Sequence, residues 1–156
     1  MPQRSCLTPL GPIAVSEEAG AIVALDWGEG RDQDDTPLLR RACAQLQAYF
    51  DGRRMAFDLP LAPAGTPFQQ RVWQQLLGIP AGRTCSYRDL AARLGTSPRA
   101  VGAANAANPI PILIPCHRVV AADGSLGGYS GGEGVATKRF LLALEARSTA
   151  NGGPMR

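Results

Sequence analysis

The sequence is poor in the residue types that build metal sites. Among its 156 residues there are one histidine and four cysteines, and no two cysteines form a Cys-x-x-Cys pair. A structural zinc site uses about four cysteine and histidine ligands at characteristic spacing. Because that pattern is missing, we expect the protein to use no metal ion and no other cofactor.

Long hydrophobic segments are also missing. No apolar run approaches the about 20 residues of a transmembrane helix, and residues 1–15 lack the unbroken apolar core of a signal peptide. We therefore expect a cytoplasmic protein without membrane association. Disulfides are disfavoured in the cytosol, so at least three of the four cysteines are expected to behave as small buried apolar side chains. The four are Cys6, Cys43, Cys85 and Cys116.

Lysine is nearly absent, because Lys138 is the only lysine among the 16 basic residues. Residues 1–66 carry six basic and nine acidic side chains, a net charge of −3, whereas residues 67–156 carry ten basic and four acidic ones, a net charge of +6. A basic second half is typical of a protein that binds a polyanion. A solvated basic face has the same charges, and the charge distribution alone does not separate these two interpretations.

The first third of the chain has the patterns of a small α/β lobe. Two apolar runs, 12–15 and 21–27, flank a polar turn with a glycine and predict a hairpin. A Thr-Pro pair and apolar residues at helical spacing predict a helix over 36–50. Alternating apolar residues over 55–61 predict a strand, which its proline confines to a sheet edge. Residues 62–65 are the predicted boundary of this lobe.

The second part of the chain predicts helices. Those over 86–94 and 97–108 are joined by a turn with a glycine, and their spacing fits a helix-turn-helix or an ordinary helical hairpin. The second helix is almost all Ala, Gly and Asn, and Arg99 is its one long charged side chain. Such small side chains either let the backbone approach a DNA minor groove or pack into the core. A last helix is predicted over 135–147, followed by a disordered tail, 148–156.

Ile110–Val120, IPILIPCHRVV, is the strongest candidate for a reactive segment. Its apolar residues are expected to bury Cys116, and a buried cysteine is ordinarily inert because its pKa is raised. The adjacent His117 suggests more, since an imidazole can accept the thiol proton. In an extended chain the two side chains point to opposite faces. Either the backbone kinks here, or a water bridges thiol and imidazole.

Two later features have a structural and a functional interpretation. The glycine-rich loop 127–132, GGYSGG, is either a surface turn or the wall of a binding site. Glu145 borders the apolar face of the last helix, a position at which glutamate is more often an exposed residue than a catalytic one.

These motifs together resemble one family. IPCHRVV, preceded by RAVGAANAANPIPIL and followed by GGYSGG, closely resembles the O6-alkylguanine-DNA alkyltransferase family, from about Thr66 to Glu145. The resemblance implies an α/β (α+β) fold with two lobes. A small N-terminal lobe of sheet and helix, 1–62, precedes a mostly helical C-terminal lobe, 66–147, which contains the helix-turn-helix and the active site.

The resemblance implies a catalytic role for five residues. Cys116 is the alkyl acceptor, His117 removes the thiol proton through a water, and Glu145 orients His117. Asn108 braces the turn near the active site. Tyr87 rotates the target phosphate outward and donates a hydrogen bond to the guanine.

It further implies six substrate- and DNA-binding residues, which are Arg99, Ala100, Gly102, Val119, Tyr129 and Ser130. Arg99 takes the place of the extruded base, and Ala100 and Gly102 lie where the recognition helix meets the minor groove. Ser130 and the Tyr129 loop contact the base near O6, and the Val119 backbone contacts its edge.

The implied activity is DNA repair by direct reversal. A monomer transfers a methyl or other alkyl group from O6 of guanine in double-stranded DNA to Cys116, irreversibly and once per molecule. O4 of thymine is left open as a second target. One alternative is a binding-only helix-turn-helix protein with Cys116 in its core. Another is a Cys-His hydrolase or acyltransferase, which needs an oxyanion hole that no motif here supplies.

Overall fold

The computed structural model describes residues 1–150. The first lobe has three strands, β1 (Gln3–Thr8), β2 (Gly11–Glu18) and β3 (Ala21–Trp27), and helix α1 (Pro37–Phe50). The second lobe has four α-helices, two short strands and one turn of 3₁₀ helix. In chain order these are α2 (Pro67–Leu77), β4 (Cys85–Ser86), α3 (Tyr87–Leu94), α4 (Pro98–Ala106), the 3₁₀ turn (Cys116–Arg118), β5 (Val119–Val120) and α5 (Val135–Ala150).

The first lobe is an antiparallel sheet with α1 packed against it. β2 lies between β1 and β3, and the turn that joins β2 to β3 places Ala19 and Gly20 at positive φ. The predicted hairpin and the helix that begins after Thr36 are confirmed. β1 was not predicted from the sequence. Its residues are mostly polar and half-buried, so it lacks the apolar alternation that marks a strand.

Cys6 of β1 and Cys43 of α1 form a disulfide, with their Cα atoms 5.8 Å apart. The expectation that at least three cysteines are reduced core residues is therefore wrong. Only Cys85 and Cys116 are free thiols in the described part of the chain. The two bonded cysteines are 37 residues apart in sequence and meet only because α1 lies on the sheet. No local pattern shows such a contact.

The strand predicted over 55–61 is also wrong. Only Leu61 pairs with the sheet, through an isolated parallel bridge to Ile22. Side chains of α1 bind the backbone of the segment instead. Gln45 accepts from the Asp58 N–H and donates to its carbonyl, which also accepts from Arg41. Backbone groups bound in this way are not available to a neighbouring strand.

α3 and α4 form a helix-turn-helix. Ser86 caps α3 and Ser97 caps α4, each through a hydrogen bond from the backbone N–H three residues later. Gly95 ends α3 at a φ of 66°, a left-handed conformation that glycine adopts without strain. Both predicted helices are confirmed. α4 ends at Ala106, two residues before the predicted end.

α4 has a buried face and an exposed face. Trp73 of α2 donates from its indole N–H to the carbonyl oxygen of Ala104, at 2.9 Å. This contact reaches the backbone of α4 at Ala104, whose small side chain is buried. Arg99, Ala103 and Ala106 are exposed on the other side. Small residues in α4 thus serve core packing on one face, and the opposite face stays open.

α5 closes the second lobe over the reactive segment. Its Leu141 and Leu144 belong to a buried apolar cluster that continues into the sheet of the first lobe. The helix extends to Ala150, three residues past the predicted end, so the tail predicted from residue 148 begins within a helix. The rest of that predicted tail, 151–156, lies outside the described residues. None of the described helices is long and apolar enough to cross a membrane.

Candidate active site

The reactive segment is held in a tight, buried loop after α4. The Asn108 side chain accepts from the Ile110 N–H at 2.9 Å and donates to the Ile114 carbonyl at 2.8 Å. Ile112, at the apex, has a φ of 72°, a strained conformation for a β-branched residue. Asn108 therefore joins the two arms of the loop and stabilises its strained apex, at the place where a brace was expected.

The chain bends at the cysteine. Cys116, His117 and Arg118 form the 3₁₀ turn, and all three are buried. The backbone is therefore kinked here, but the kink does not bring His117 Nδ1 within hydrogen-bond distance of a partner in residues 1–150, so the bridging water stays a prediction. Asn105 of α4 fixes the turn by donating from its amide to the Cys116 carbonyl at 3.1 Å.

Glu145 lies at the centre of a buried hydrogen-bond network, although a position at the border of α5 predicted an exposed side chain. Its Oε2 pairs with His117 Nε2 at 2.7 Å and accepts from the Tyr49 hydroxyl at 2.6 Å. Arg118 donates from Nε to Oε1 at 2.8 Å and from Nη2 to Oε2 at 2.9 Å. A buried carboxylate requires such partners, and here it has a bidentate arginine, an imidazole and a phenol.

The protonation states of this network follow from its charges. Burial alone would raise the pKa of Glu145, but His117 and Arg118 outweigh it and lower that pKa to about 2. The pKa of His117 is lowered by burial more than its contact with Glu145 raises it. A neutral imidazole next to an ionised carboxylate donates from Nε2. His117 Nδ1 is then left as an acceptor, and it has no partner within residues 1–150.

A cavity of about 340 Å³ opens beside the cysteine. Its walls come from the start of α3, from α4, from the reactive turn and from the glycine-rich loop. The lining residues are Tyr87, Gly102, Asn105, Ala106, Cys116, Gly128, Tyr129 and Ser130. This volume is in the range of small-molecule sites. Five of the residues expected at the site therefore share one cavity.

The cavity environment keeps the thiol protonated. Burial raises the pKa of Cys116, and the side chains of Asn108 and Tyr129 beside it, together with Lys138, offset only part of the rise. Burial also raises the pKa of the Tyr87 and Tyr129 hydroxyls, so both stay protonated. A reaction in which Cys116 is the nucleophile consequently requires a base that takes the thiol proton.

The glycine-rich loop is a wall of this cavity. Tyr129 packs edge-to-face on Trp27 of β3 with ring centroids 6.5 Å apart, and Ser130 donates to the Ala106 carbonyl at 3.3 Å. At Gly131 a Cβ atom would lie 2.4 Å from the Trp27 indole nitrogen, so the loop needs a glycine to lie this close to the sheet. The loop thus touches both lobes.

Lys138, which the sequence did not single out as a site residue, anchors this loop. Its side chain is fully buried and donates to the carbonyls of Val119, Leu126 and Gly128. The Val119 carbonyl thus accepts one hydrogen bond from Lys138, and Val119 is not among the residues that line the cavity, where its backbone was expected to meet the base. Being the only lysine in an arginine-rich chain was the one signal that could have marked it.

The expected DNA-binding residues of α4 lie at the outer rim. Arg99 is exposed on the first turn of the helix, and it lines a second, shallower cavity of about 480 Å³ with Tyr87, Gly102 and Ala122. Tyr87 and Gly102 line both cavities. Ala100 is half-buried and lines neither. The exposed face of the helix-turn-helix therefore continues directly into the cavity that contains Cys116.

Two other residues that the sequence did not indicate are Tyr49 and Arg118, both in the Glu145 network. Arg118 is buried and also donates to the Ile79 carbonyl. In residues 1–150, no three His, Cys, Asp or Glu side chains are close enough together to hold a metal ion.

Both lobes match models of one family. Residues 67–147 match the DNA-binding domain of 6-O-methylguanine DNA methyltransferase, and residues 4–63 match its ribonuclease-like domain. The constitutive methylated-DNA–protein-cysteine methyltransferase of Bacillus subtilis is 45% identical over 151 residues, which cover 88% of this chain and 91% of that protein. A relative of the same description from Methanosarcina barkeri is 43% identical, with 88% and 92% covered.

Solved structures agree. Mycobacterium tuberculosis OGT in complex with DNA superposes with a TM-score of 0.84 at 41% identity, covering 94% of this chain and 93% of that one. The O6-methylguanine-DNA methyltransferase of Pyrococcus kodakaraensis gives 0.61 at 28% identity, with 92% and 99% covered. The two-lobed α/β architecture expected from the sequence is thus confirmed, and this chain belongs to the 6-O-methylguanine DNA methyltransferase family.

Proposed function

We propose that this protein repairs DNA by moving an alkyl group from O6 of guanine in a duplex to its own Cys116. Membership of the family supports methyl transfer from DNA to a cysteine. The observation that assigns the reaction to Cys116 is its position. It is a free thiol in the wall of a cavity of about 340 Å³, in a turn whose next residue, His117, is paired with a buried carboxylate.

His117 is the base in this proposal. Its Nδ1 accepts the thiol proton through a bridging water, while Nε2–H donates to Glu145 at 2.7 Å. Glu145 remains ionised and stabilises the imidazolium that forms. The carboxylate orients the ring and does not itself take the proton, because its pKa is about 2.

Alkyl transfer is a displacement at an sp³ carbon. The thiolate sulfur forms a bond to the alkyl carbon as the bond from that carbon to O6 breaks, and the electron pair stays on the guanine oxygen. Tyr87, a protonated hydroxyl in the cavity wall, donates a hydrogen bond to the departing guanine. No oxyanion forms on the attacked carbon, so this chemistry needs no oxyanion hole. The thioether is stable, and each molecule reacts once.

The helix-turn-helix presents DNA to the cavity. A base inside a duplex is out of reach of Cys116, so the target nucleotide must flip out, at a cost of a few kcal/mol. The exposed face of α4 contacts the minor groove, where its small side chains permit close approach. Arg99 fills the gap that the flipped base leaves in the duplex. Ser130 and Tyr129, in the cavity wall, contact the flipped base near O6. We further propose that the protein acts as a monomer in the cytoplasm.

The proposal is tested by incubating the protein with a duplex that contains one O6-methylguanine and measuring its intact mass. We expect the gain of one methylene unit, located on the peptide with Cys116, and a yield that stops at one equivalent. Cys116→Ser is the control, which should bind the duplex and leave it methylated. Repeated turnover would indicate a hydrolase. Binding of the duplex by wild type without a mass change would indicate a binding-only protein.

A further inference from the structure

We propose that Tyr49 of the first lobe is a positioning residue for alkyl transfer, because its hydroxyl holds the Glu145 carboxylate in place against His117. The inference rests on the proposed function, and it assigns to the ribonuclease-like lobe a direct share in the reactive network. Tyr49 does not line the cavity and so acts through Glu145 alone.

The geometry makes Tyr49 a full partner in the network. Its hydroxyl donates to Glu145 Oε2 at 2.6 Å, across 96 residues of sequence and between the two lobes. The same oxygen pairs with His117 Nε2 at 2.7 Å and accepts from Arg118 Nη2 at 2.9 Å. Three donors around one carboxylate oxygen leave it no freedom to turn, so the direction of the His117 contact depends on the other two.

The surroundings of Tyr49 are otherwise apolar. Its ring lies 5.2 Å from that of Phe50 and 5.3 Å from that of Phe57, and Phe50 lies 6.4 Å from Phe140 of α5. A phenylalanine at position 49 would satisfy this aromatic cluster equally well. The hydroxyl makes no hydrogen bond other than that to Glu145 among the described contacts. Its position is therefore explained by the carboxylate and not by the cluster.

Tyr49 can donate throughout the working pH range. Burial and the neighbouring Glu145 raise the pKa of the phenol well above its ordinary value. When His117 takes the thiol proton, the imidazolium depends on Glu145 for its counter-charge. A carboxylate released by Tyr49 can rotate toward Arg118, which holds both of its oxygens, and the contact with His117 then weakens. Loss of the hydrogen-bond partner that orients a metal-ligating histidine typically costs about tenfold or more in activity, and we expect a loss of the same order for the partner that orients Glu145.

The test compares Tyr49→Phe with a matched control, Phe57→Leu, which disturbs the same aromatic cluster without touching Glu145. Single-turnover rates are measured with free O6-benzylguanine and with a methylated duplex, across pH. Tyr49→Phe should slow both substrates by the same factor, about tenfold at neutral pH, with the loss shrinking at high pH. Phe57→Leu should lower the melting temperature and leave the rate and its pH midpoint unchanged.

A double variant tests whether Tyr49 acts through His117. If Tyr49 acts through His117, adding Tyr49→Phe to His117→Ala should cost nothing more; full additivity overturns the proposal. So does a Tyr49→Phe variant that loses only thermal stability.

Should Tyr49→Phe fail to fold, 4-aminophenylalanine at position 49 keeps the ring and a hydrogen-bond donor, and this variant should retain the wild-type rate. A 4-aminophenylalanine variant that folds but reacts slowly counts against the proposal. Failure of wild type to alkylate defeats the proposed function as well, whereas the outcomes above defeat only the role of Tyr49.

Discussion

Cys116 and His117 are adjacent in sequence, and their chemistry depends on what each residue cannot do alone. Burial raises the pKa of the thiol and lowers that of the imidazole, so at neutral pH both are uncharged. A thiol is a poor nucleophile. In the proposed reaction the pair becomes reactive only if proton transfer to His117 accompanies attack, which ties the expected rate to the protonation state of the imidazole.

Replacement of His117 by alanine should therefore slow alkylation at neutral pH by about 10²-fold, the lower range for loss of a general base. Because the thiol pKa is raised, the variant should recover only as hydroxide supplies the thiolate, and its rate should rise to a higher apparent midpoint than that of wild type. Single-turnover rates with O6-benzylguanine from pH 6 to 10 measure both. Parallel profiles with one midpoint would show that His117 does not set the protonation of the thiol.

Residues of this site differ in how visible they are in the sequence. Cys116 and His117 could be found because they are neighbours in an apolar segment and His117 is the sole histidine. Arg118 and Tyr49 could not, because their function depends on a carboxylate that approaches from another element. Glu145 was placed at the helix border, yet it is fully buried. Its burial is a consequence of how α1 and α5 pack, which no local pattern contains.

The helices themselves were predictable because their ends carry local signals. Thr36, Thr66, Ser86 and Ser97 each cap a helix in the structure, and capping is decided within three residues. The segment 55–61 failed for the opposite reason. The alternation of this segment is present in the structure, since Met55 is buried and the apolar residues Phe57, Leu59 and Leu61 are half-buried. The backbone of the segment, however, is bound by side chains of α1 and not by a strand. Strand pairing is a long-range property that alternation alone does not determine.

A single substitution in helix α4 can separate its proposed role in base flipping from the alkyl-transfer step. Arg99→Ala should reduce repair of a methylated duplex at least tenfold, because without the guanidinium nothing offsets the few kcal/mol that base flipping costs. Reaction with free O6-benzylguanine, which needs no flipping, should be nearly unchanged. Single-turnover rates on both substrates give the ratio. Arg93→Ala, an exposed arginine in the last turn of α3, removes the same charge and is the matched control. Equal losses on both substrates would make Arg99 structural.

Besides the shared apolar core, the two lobes meet at a buried charge cluster, because Glu145 binds Tyr49 of the first lobe as well as His117 and Arg118 of the second. An interface of this kind links folding to pH. A carboxyl group whose folded pKa lies below its unfolded value stabilises the fold above the unfolded pKa and loses that contribution as pH falls. Buried histidine held neutral acts in the same direction, since the unfolded chain takes up the proton first.

The pKa shifts set two windows for acid destabilisation. The pKa of His117 is depressed below its ordinary value, so the free energy of unfolding should begin to decrease as pH drops below about 6.5. Glu145 falls from about 4.3 in an unfolded chain to about 2 in the fold. Across that second window the protein should lose about 3 kcal/mol, at 1.36 kcal/mol for each unit of pKa.

Denaturant titrations at pH 7, 5.5, 4, 3 and 2 measure these losses, and Glu145→Gln separates the second from the first. The variant should be less stable than wild type at pH 7, because Arg118 keeps a buried charge without its counter-ion. Below pH 4.3, however, its stability should fall less steeply, since the group that titrates there is gone. Asp51→Asn, which breaks a surface ion pair with Arg53, is the control and should keep the wild-type slope. An unchanged slope in Glu145→Gln would mean that the lobes are not held together by an ionised Glu145, and that the acid sensitivity comes from other carboxylates.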